Sequence, residues 1–211
     1  RYQHQNVALA RRVMADPAGR RVLTRFTVHQ RVQHWLLFVC FTLLVLTGYP
    51  IKFADRDWAG WLIQVFGGLP VTRGLHRWAG LVMLLGAVYH MLYVLATMTQ
   101  RVWREKTTWR AVVLDLPLVI NLRDLREFFH LLGFLLFMRD TRPRSGRFSI
   151  KEKFEYFGVF WGCALLGVTG LVLWENAWAT RFFSGRLLNI AAMIHTFEAF
   201  LALLHVGIFH M

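Results

Sequence analysis

The chain has 211 residues, 56% of them hydrophobic, 15% aromatic and only 18% charged, with a formal net charge of +13. Soluble domains carry about a quarter of their residues as charged side chains, so this composition points to a membrane protein. The excess positive charge sits in segments flanking apolar runs, and no nucleic-acid-binding motif accompanies it, so nucleic acid is not expected as a partner.

In chain order, residues 1–30 form a basic segment with a turn at Asp16-Pro17-Ala18-Gly19, and residues 31–211 form the membrane domain. Four apolar runs, near 35–53, 75–98, 154–174 and 187–211, each approach the roughly 20 residues a spanning helix needs. The first helix begins near Arg31-Val32-Gln33-His34-Trp35 and ends around Thr47-Gly48-Tyr49-Pro50. A loop containing Gly67-Gly68-Leu69-Pro70 leads to a second helix from about Gly74 to Met98. Within the long connection 101–153, the stretch from Asn121 to Met138 has helical periodicity and charges gathered at its start. It is expected to be an amphipathic helix lying in the cytoplasmic interface rather than a fifth span. The predicted class is therefore all-α, an integral membrane four-helix bundle with one additional interfacial helix. There is no tandem repeat and no low-complexity segment. None of the runs looks like a cleavable signal, and both ends of the chain, Arg1 and Met211, are expected to be incomplete or processed.

Seven of the 25 Lys and Arg residues precede the first apolar run, Arg31 at the helix start included, and 12 lie in segment 101–153. By the positive-inside rule both segments are cytoplasmic, which puts both chain ends inside.

Two pairs among the nine histidines stand about four helical turns apart on apolar helices: His76 with His90, and His195 with His210. Separations of 14 and 15 residues span about 21–23 Å, and at about 100° per residue each pair falls within about 40–60° of one helix face. Ionisable groups inside spans usually serve a pathway or a cofactor. Helices 2 and 4 run in the same direction, so His76 lies level with His195 near the outer side and His90 with His210 near the inner side. A structural zinc wants about four converging ligands, which two separated layers do not supply. Haem needs only two opposed imidazoles per layer. Cys40 and Cys163 form neither a C-x-x-C-H nor a C-x-x-C motif, so any haem is b-type, held by axial side chains alone.

His34 at the start of helix 1 also reaches the inner layer. His205 is expected to pack or to support a neighbour, and His4, His29 and His130 have no ligand role. Glu198, three residues after His195, can accept a hydrogen bond or carry protons. Arg25, Arg31, Arg73 and Arg77 stand where propionates can be paired. Gly80 and Gly86 leave room for a porphyrin plane, and Gly158 and Gly162 either seat such a plane or let helices approach closely.

The string Arg25-Phe26-Thr27-Val28-His29-Gln30-Arg31-Val32-Gln33-His34-Trp35 and then Leu46-Thr47-Gly48 resembles the first helix of the membrane cytochrome b subunits of formate dehydrogenases and nickel–iron hydrogenases. Leu75-His76-Arg77 through Tyr89-His90, Lys153-Phe154-Glu155-Tyr156 leading to Gly167-Val168-Thr169-Gly170, and His195-Thr196-Phe197-Glu198-Ala199 resemble the branch that accompanies multihaem c cytochromes or related periplasmic oxidoreductases. The resemblance covers about residues 25–211. It implies a four-helix cytochrome b with two haems, exchanging electrons with menaquinone or ubiquinone. Carried over by position, it assigns His76 and His195 to the outer haem and His34 and His210 to the inner one, with His90 a competing inner ligand.

Three functions compete. The first is an electron-transfer subunit between the quinone pool and a periplasmic or extracytoplasmic oxidoreductase or multihaem cytochrome, the quinone site lying near Arg31, His34 and Glu155. The histidine layers point to electron transfer and the lack of any soluble catalytic domain or nucleotide fingerprint points to a partner subunit, while the quinone, the partner class and a place in the bacterial cytoplasmic (inner) membrane are what the resemblance implies. The second is a stand-alone membrane haem oxidoreductase handling ferric ion or superoxide. The third is a metal transporter, which the scarcity of Ser, Asn and Asp in the spans disfavours.

Overall fold

The computed structural model describes Ala15 and residues 27–116, 118–141 and 148–210, the side chains of Phe209 and His210 excepted. Among these residues the chain is all-α. The helices are α1 (Val28–Lys52), α2 (Asp57–Val65), α3 (Leu69–Glu105), α4 (Trp109–Leu114), α5 (Leu122–Leu135), α6 (Ile150–Trp174), α7 (Asn176–Phe182) and α8 (Gly185–His205), which runs into a π turn at Val206–His210. Two compact units are distinguished, Arg1–Trp35 and Leu36–Met211.

Four of these segments are long and apolar enough to cross a membrane: Val28–Lys52, Leu69–Glu105, Ile150–Trp174 and Gly185–Ile208. Only helices and closed barrels satisfy their own backbone polar groups in lipid, so apolar sequences of this length settle as helices. Large apolar side chains such as Trp78, Leu92, Val168 and Phe197 remain exposed, as lipid-facing residues do. The interior of the second unit is narrow. Buried Cys40 of α1, Met83 of α3 and Cys163 of α6 meet there, with Leu37, Leu44, Ala87 and Val159 packed around them.

Local chemistry sets the helix ends. The Thr27 hydroxyl accepts from the Gln30 backbone N–H at 3.2 Å, and the Gln30 side chain accepts from the Thr27 N–H at 2.9 Å, a reciprocal cap that starts α1. Asn121 with Asp124 and Ser149 with Glu152 repeat the device at the starts of α5 and α6. Gly67 and Gly68 adopt φ of +92° and +95°, turning the chain into α3 with Pro70 in its first turn. The second spanning helix thus begins five residues earlier than the apolar pattern suggests and runs on to Glu105. At 1.5 Å per residue its 37 residues extend about 55 Å, well beyond a bilayer core. The segment after helix 1 is not a bare loop either, because Asp57–Val65 coils into α2.

Helix α5 keeps close to the expected limits of 121–138, and its amphipathicity is turned outward. Asp124 and Glu127 are buried, while Leu122, Leu125, Phe128, Phe129, Leu132 and Leu135 are exposed. Lys153 Nζ donates to both Asp124 oxygens, at 2.9 and 2.7 Å, and to the Val119 carbonyl at 3.0 Å. The Ile150 N–H at the start of α6 donates to Glu127 Oε1 at 3.3 Å. The polar stripe therefore fastens α5 to the foot of α6 and leaves the apolar stripe facing outward, as suits a helix lying at a membrane surface. Burial pushes the Asp124 carboxyl up, but the hydrogen bond from Lys153, the Asn121 backbone N–H and the Lys153 and Arg123 charges outweigh it and hold the group below the usual carboxylate range.

Candidate cofactor site

Near the α2 and α7 end of the bundle, α3 and α8 each bring one histidine to a shared cavity of about 500 Å³. The ring centres of His76 and His195 are 6.3 Å apart and the ring planes cross at 73°. Each ring is held from behind by a threonine on another helix. Thr47 Oγ1 of α1 lies 3.0 Å from His76 Nδ1, and Thr169 Oγ1 of α6 lies 2.9 Å from His195 Nδ1. Glycine follows each threonine, and there the ring approaches the backbone. A Cβ added at Gly48 would sit 2.8 Å from His76 Cε1, and one at Gly170 would sit 3.3 Å from His195 Cε1.

The remaining cavity wall is mostly apolar. Gly80, Met83, Gly167 and Phe200 line it, and Arg73, Arg77 and Lys52 bring positive charge to it. The Arg77 guanidinium stands 5.5 Å over the Trp174 ring. A pocket of this size, apolar with a few convergent polar groups, is the usual form of a cofactor site.

These residues fit haem. With a metal–nitrogen bond of about 2 Å on each side and about 1.2 Å from Nε2 to each ring centre, two opposed imidazoles have centres about 6.4 Å apart. The observed 6.3 Å matches. A polynuclear or tetrahedral metal site lacks its donors, because among the described residues no three His, Cys, Asp or Glu side chains converge on one point.

Residues 25–210 match the family described as prokaryotic cytochrome b561. The chain belongs to that family. It is a bacterial membrane cytochrome b, an electron carrier with haem b as its cofactor. The chain is 23% identical over 181 residues to the formate dehydrogenase cytochrome b556 subunit of Haemophilus influenzae, covering 84% of this chain and 66% of the relative. It is 25% identical over 180 residues to the cytochrome b556(fdo) subunit of formate dehydrogenase from Escherichia coli, covering 85% and 73%. With the nitrate-inducible b556(Fdn) subunit of the same organism it shares 22% over 191 residues, covering 90% and 76%. The chain thus spans about two thirds to three quarters of the length of these relatives.

Other residues singled out from the sequence fall elsewhere. His90 is half-buried, away from the cavity lining, with Nε2 2.9 Å from the Tyr156 hydroxyl and the two rings edge to face. His34 is exposed on α1, as is Arg31. The His210 side chain, Arg25 and His4 lie outside the described residues. His29 Nε2 is 2.8 Å from the Gln33 amide, and His130 Nε2 is 3.1 Å from the Thr141 carbonyl oxygen. The glycines of α6 separate by role. Gly158 faces the His205 ring and Gly162 faces Glu198, so both admit polar side chains of α8. Gly80 lines the cavity, whereas Gly86 packs against Leu36. Thr47, Thr169 and Tyr156 are the polar partners that histidine spacing alone did not reveal.

Proposed function

We propose that this chain is the electron-carrying membrane subunit of a quinone-linked oxidoreductase and holds two b haems. The observation that carries the reading is the opposed pair His76 and His195, 6.3 Å apart across the glycine-lined cavity. They would hold the outer haem, with Arg77 and Arg73 available to pair its propionates. Bound between such ligands, haem b supplies a reversible one-electron couple.

The inner haem takes His210 and either His34 or His90, with Arg31 near its edge. The π turn at Val206–His210 supports a place for position 210 in this layer. Fifteen residues of α-helix overshoot four turns by about 60°. A π turn advances each residue by less than an α turn does, drawing position 210 back towards the face that carries His195. The engagement of His90 with Tyr156 supports His34 as the partner of His210. Quinone, either menaquinone or ubiquinone, is handled at this inner side near Arg31, His34 and Glu155. The basic segments 1–30 and 101–153 support a cytoplasmic location for that side, with the protein in a bacterial inner membrane. The partner on the outer side is an oxidoreductase or multihaem cytochrome. The b556 relatives, which are named as formate dehydrogenase subunits, support the former class.

The reading is tested by adding a reduced quinone analogue anaerobically to the oxidised protein in lipid vesicles and recording the b-haem absorbance. Reduction at a rate that saturates with quinol is expected. Haem reducible by dithionite and inert to both quinol classes would remove the quinone link.

A further inference from the structure

The two ligand-bearing histidines are held by the same three-part device, although the four helices involved share no extended sequence repeat. On α1, Thr47 and Gly48 face His76 of α3. On α6, Thr169 and Gly170 face His195 of α8. The hydrogen-bond arithmetic is also the same. Thr47 Oγ1 lies 2.6 Å from the Leu43 carbonyl oxygen, and Thr169 Oγ1 lies 2.6 Å from that of Leu165. A hydroxyl has one hydrogen, and a carbonyl can only accept, so in each case that hydrogen is committed to the carbonyl four residues earlier. The hydroxyl oxygen can then only accept from the imidazole, so Nδ1 must carry the proton.

We infer that Thr47 and Thr169 are positioning residues that lock His76 and His195 in the Nδ1–H tautomer, aim the Nε2 lone pairs into the cavity, and set the potential of the haem held there. The glycine after each threonine completes the device by letting the ring lie against the backbone. A back-bonded threonine in an apolar helix is ordinary by itself. Two of them, each spending its remaining acceptor on a histidine of the same facing pair and each followed by a glycine under that ring, are not.

The acceptor type carries a consequence. A neutral hydroxyl draws the Nδ1 proton less strongly than the carboxylate that backs many metal-bound histidines, but it still adds electron density to the ring and strengthens Nε2 as a donor. A stronger donor favours oxidised iron. Removing the hydroxyl therefore raises the potential of this haem and loosens the ligand, while carboxylate in its place lowers the potential.

The inference rests on the haem reading above, and the test separates the two. Thr47→Val, Thr169→Val and the matching Thr→Ser variants are purified from membranes. Haem per chain, the redox titration of each b haem and the low-spin electron paramagnetic resonance spectrum are then compared with the parent. In the Val variants one of the haems should titrate at a higher potential with altered g values, and haem retention should weaken by about 10–100-fold. The Ser variants, which keep the hydroxyl and lose the methyl group, should match the parent. If the Val variants lose this haem completely, its retention in the Ser variants supports the same conclusion. Val variants with parental potential, spectrum and haem content would overturn the inference, as would Ser variants with the Val defect. A parent chain without haem would instead remove the haem reading itself.

Discussion

At the scale of single residues the site depends on two rings meeting two bare stretches of backbone. Gly48 is the sharper case, because a methyl group there would stand 2.8 Å from a ring already tied to Thr47 at 3.0 Å. Gly167 has an even closer neighbour, with its added Cβ 2.7 Å from Leu84 Cδ1, but that atom ends a flexible side chain and can swing away. Gly48→Ala is therefore expected to displace His76, broaden or shift the b-haem absorption band and reduce haem content, with helix content unchanged by circular dichroism. An unaltered band and parental haem content in Gly48→Ala would show that the ring has room the geometry denies it. As residues to single out, His76 and His195 were legible from their spacing on apolar helices, and their ring centres lie 6.3 Å apart. Their threonine partners were not, because Thr47 and Thr169 stand 29 and 26 residues from the histidines they touch and hydroxyls are common in spanning helices. The one trace was the recurrence of Thr-Gly, a dipeptide too short to register as a repeat. The pairing of His90 with Tyr156 escaped for the same reason, lying 66 residues apart on helices whose rotation no apolar pattern fixes.

At the scale of elements, α5 shows how a polar stripe can point inward. Its link to α6 through Asp124 and Lys153 is buried, and removing one partner of a buried ion pair leaves the other charge uncompensated at a cost of about 3–5 kcal/mol. Asp124→Ala should release α5 from the foot of α6, seen as faster proteolysis within the connection between α4 and α6. The pH dependence has a definite sign. The Asp124 carboxyl titrates lower in the fold than in the unfolded chain, so its contribution is complete above the ordinary carboxylate range and fades as pH falls through the depressed folded value. Parental protein should therefore become protease-sensitive in this connection on acidification, and Asp124→Ala should be sensitive already at neutral pH. Equal protection of variant and parent at neutral pH would show that Glu127 and the apolar face hold α5 alone. The existence of α5 was legible, because its 14 residues keep helical spacing with charges gathered at their start. Helices α2 and α7, of 9 and 7 residues, were not, since one or two turns leave no periodicity to read.

At the scale of the molecule, four apolar helices with little buried volume between them acquire a reason to associate from what they enclose. Lipid tails solvate apolar side chains as well as neighbouring helices do, so close approach at glycines, hydrogen bonds across helices and a shared cofactor carry more of the association. The cavity draws its lining from α1, α3, α6 and α8, with Tyr49, Leu84, Trp174 and Phe200 among its walls. Haem in that cavity would tie all four spanning helices together and so would couple folding to haem loading. The most direct measurement is pyridine haemochrome quantification on the purified chain beside its His76→Ala and His195→Ala variants. About two b haems per parental chain and about one in each variant are expected. A parental chain with no haem when folded under adequate haem supply, or variants that keep the full parental content, would contradict ligation by His76 and His195.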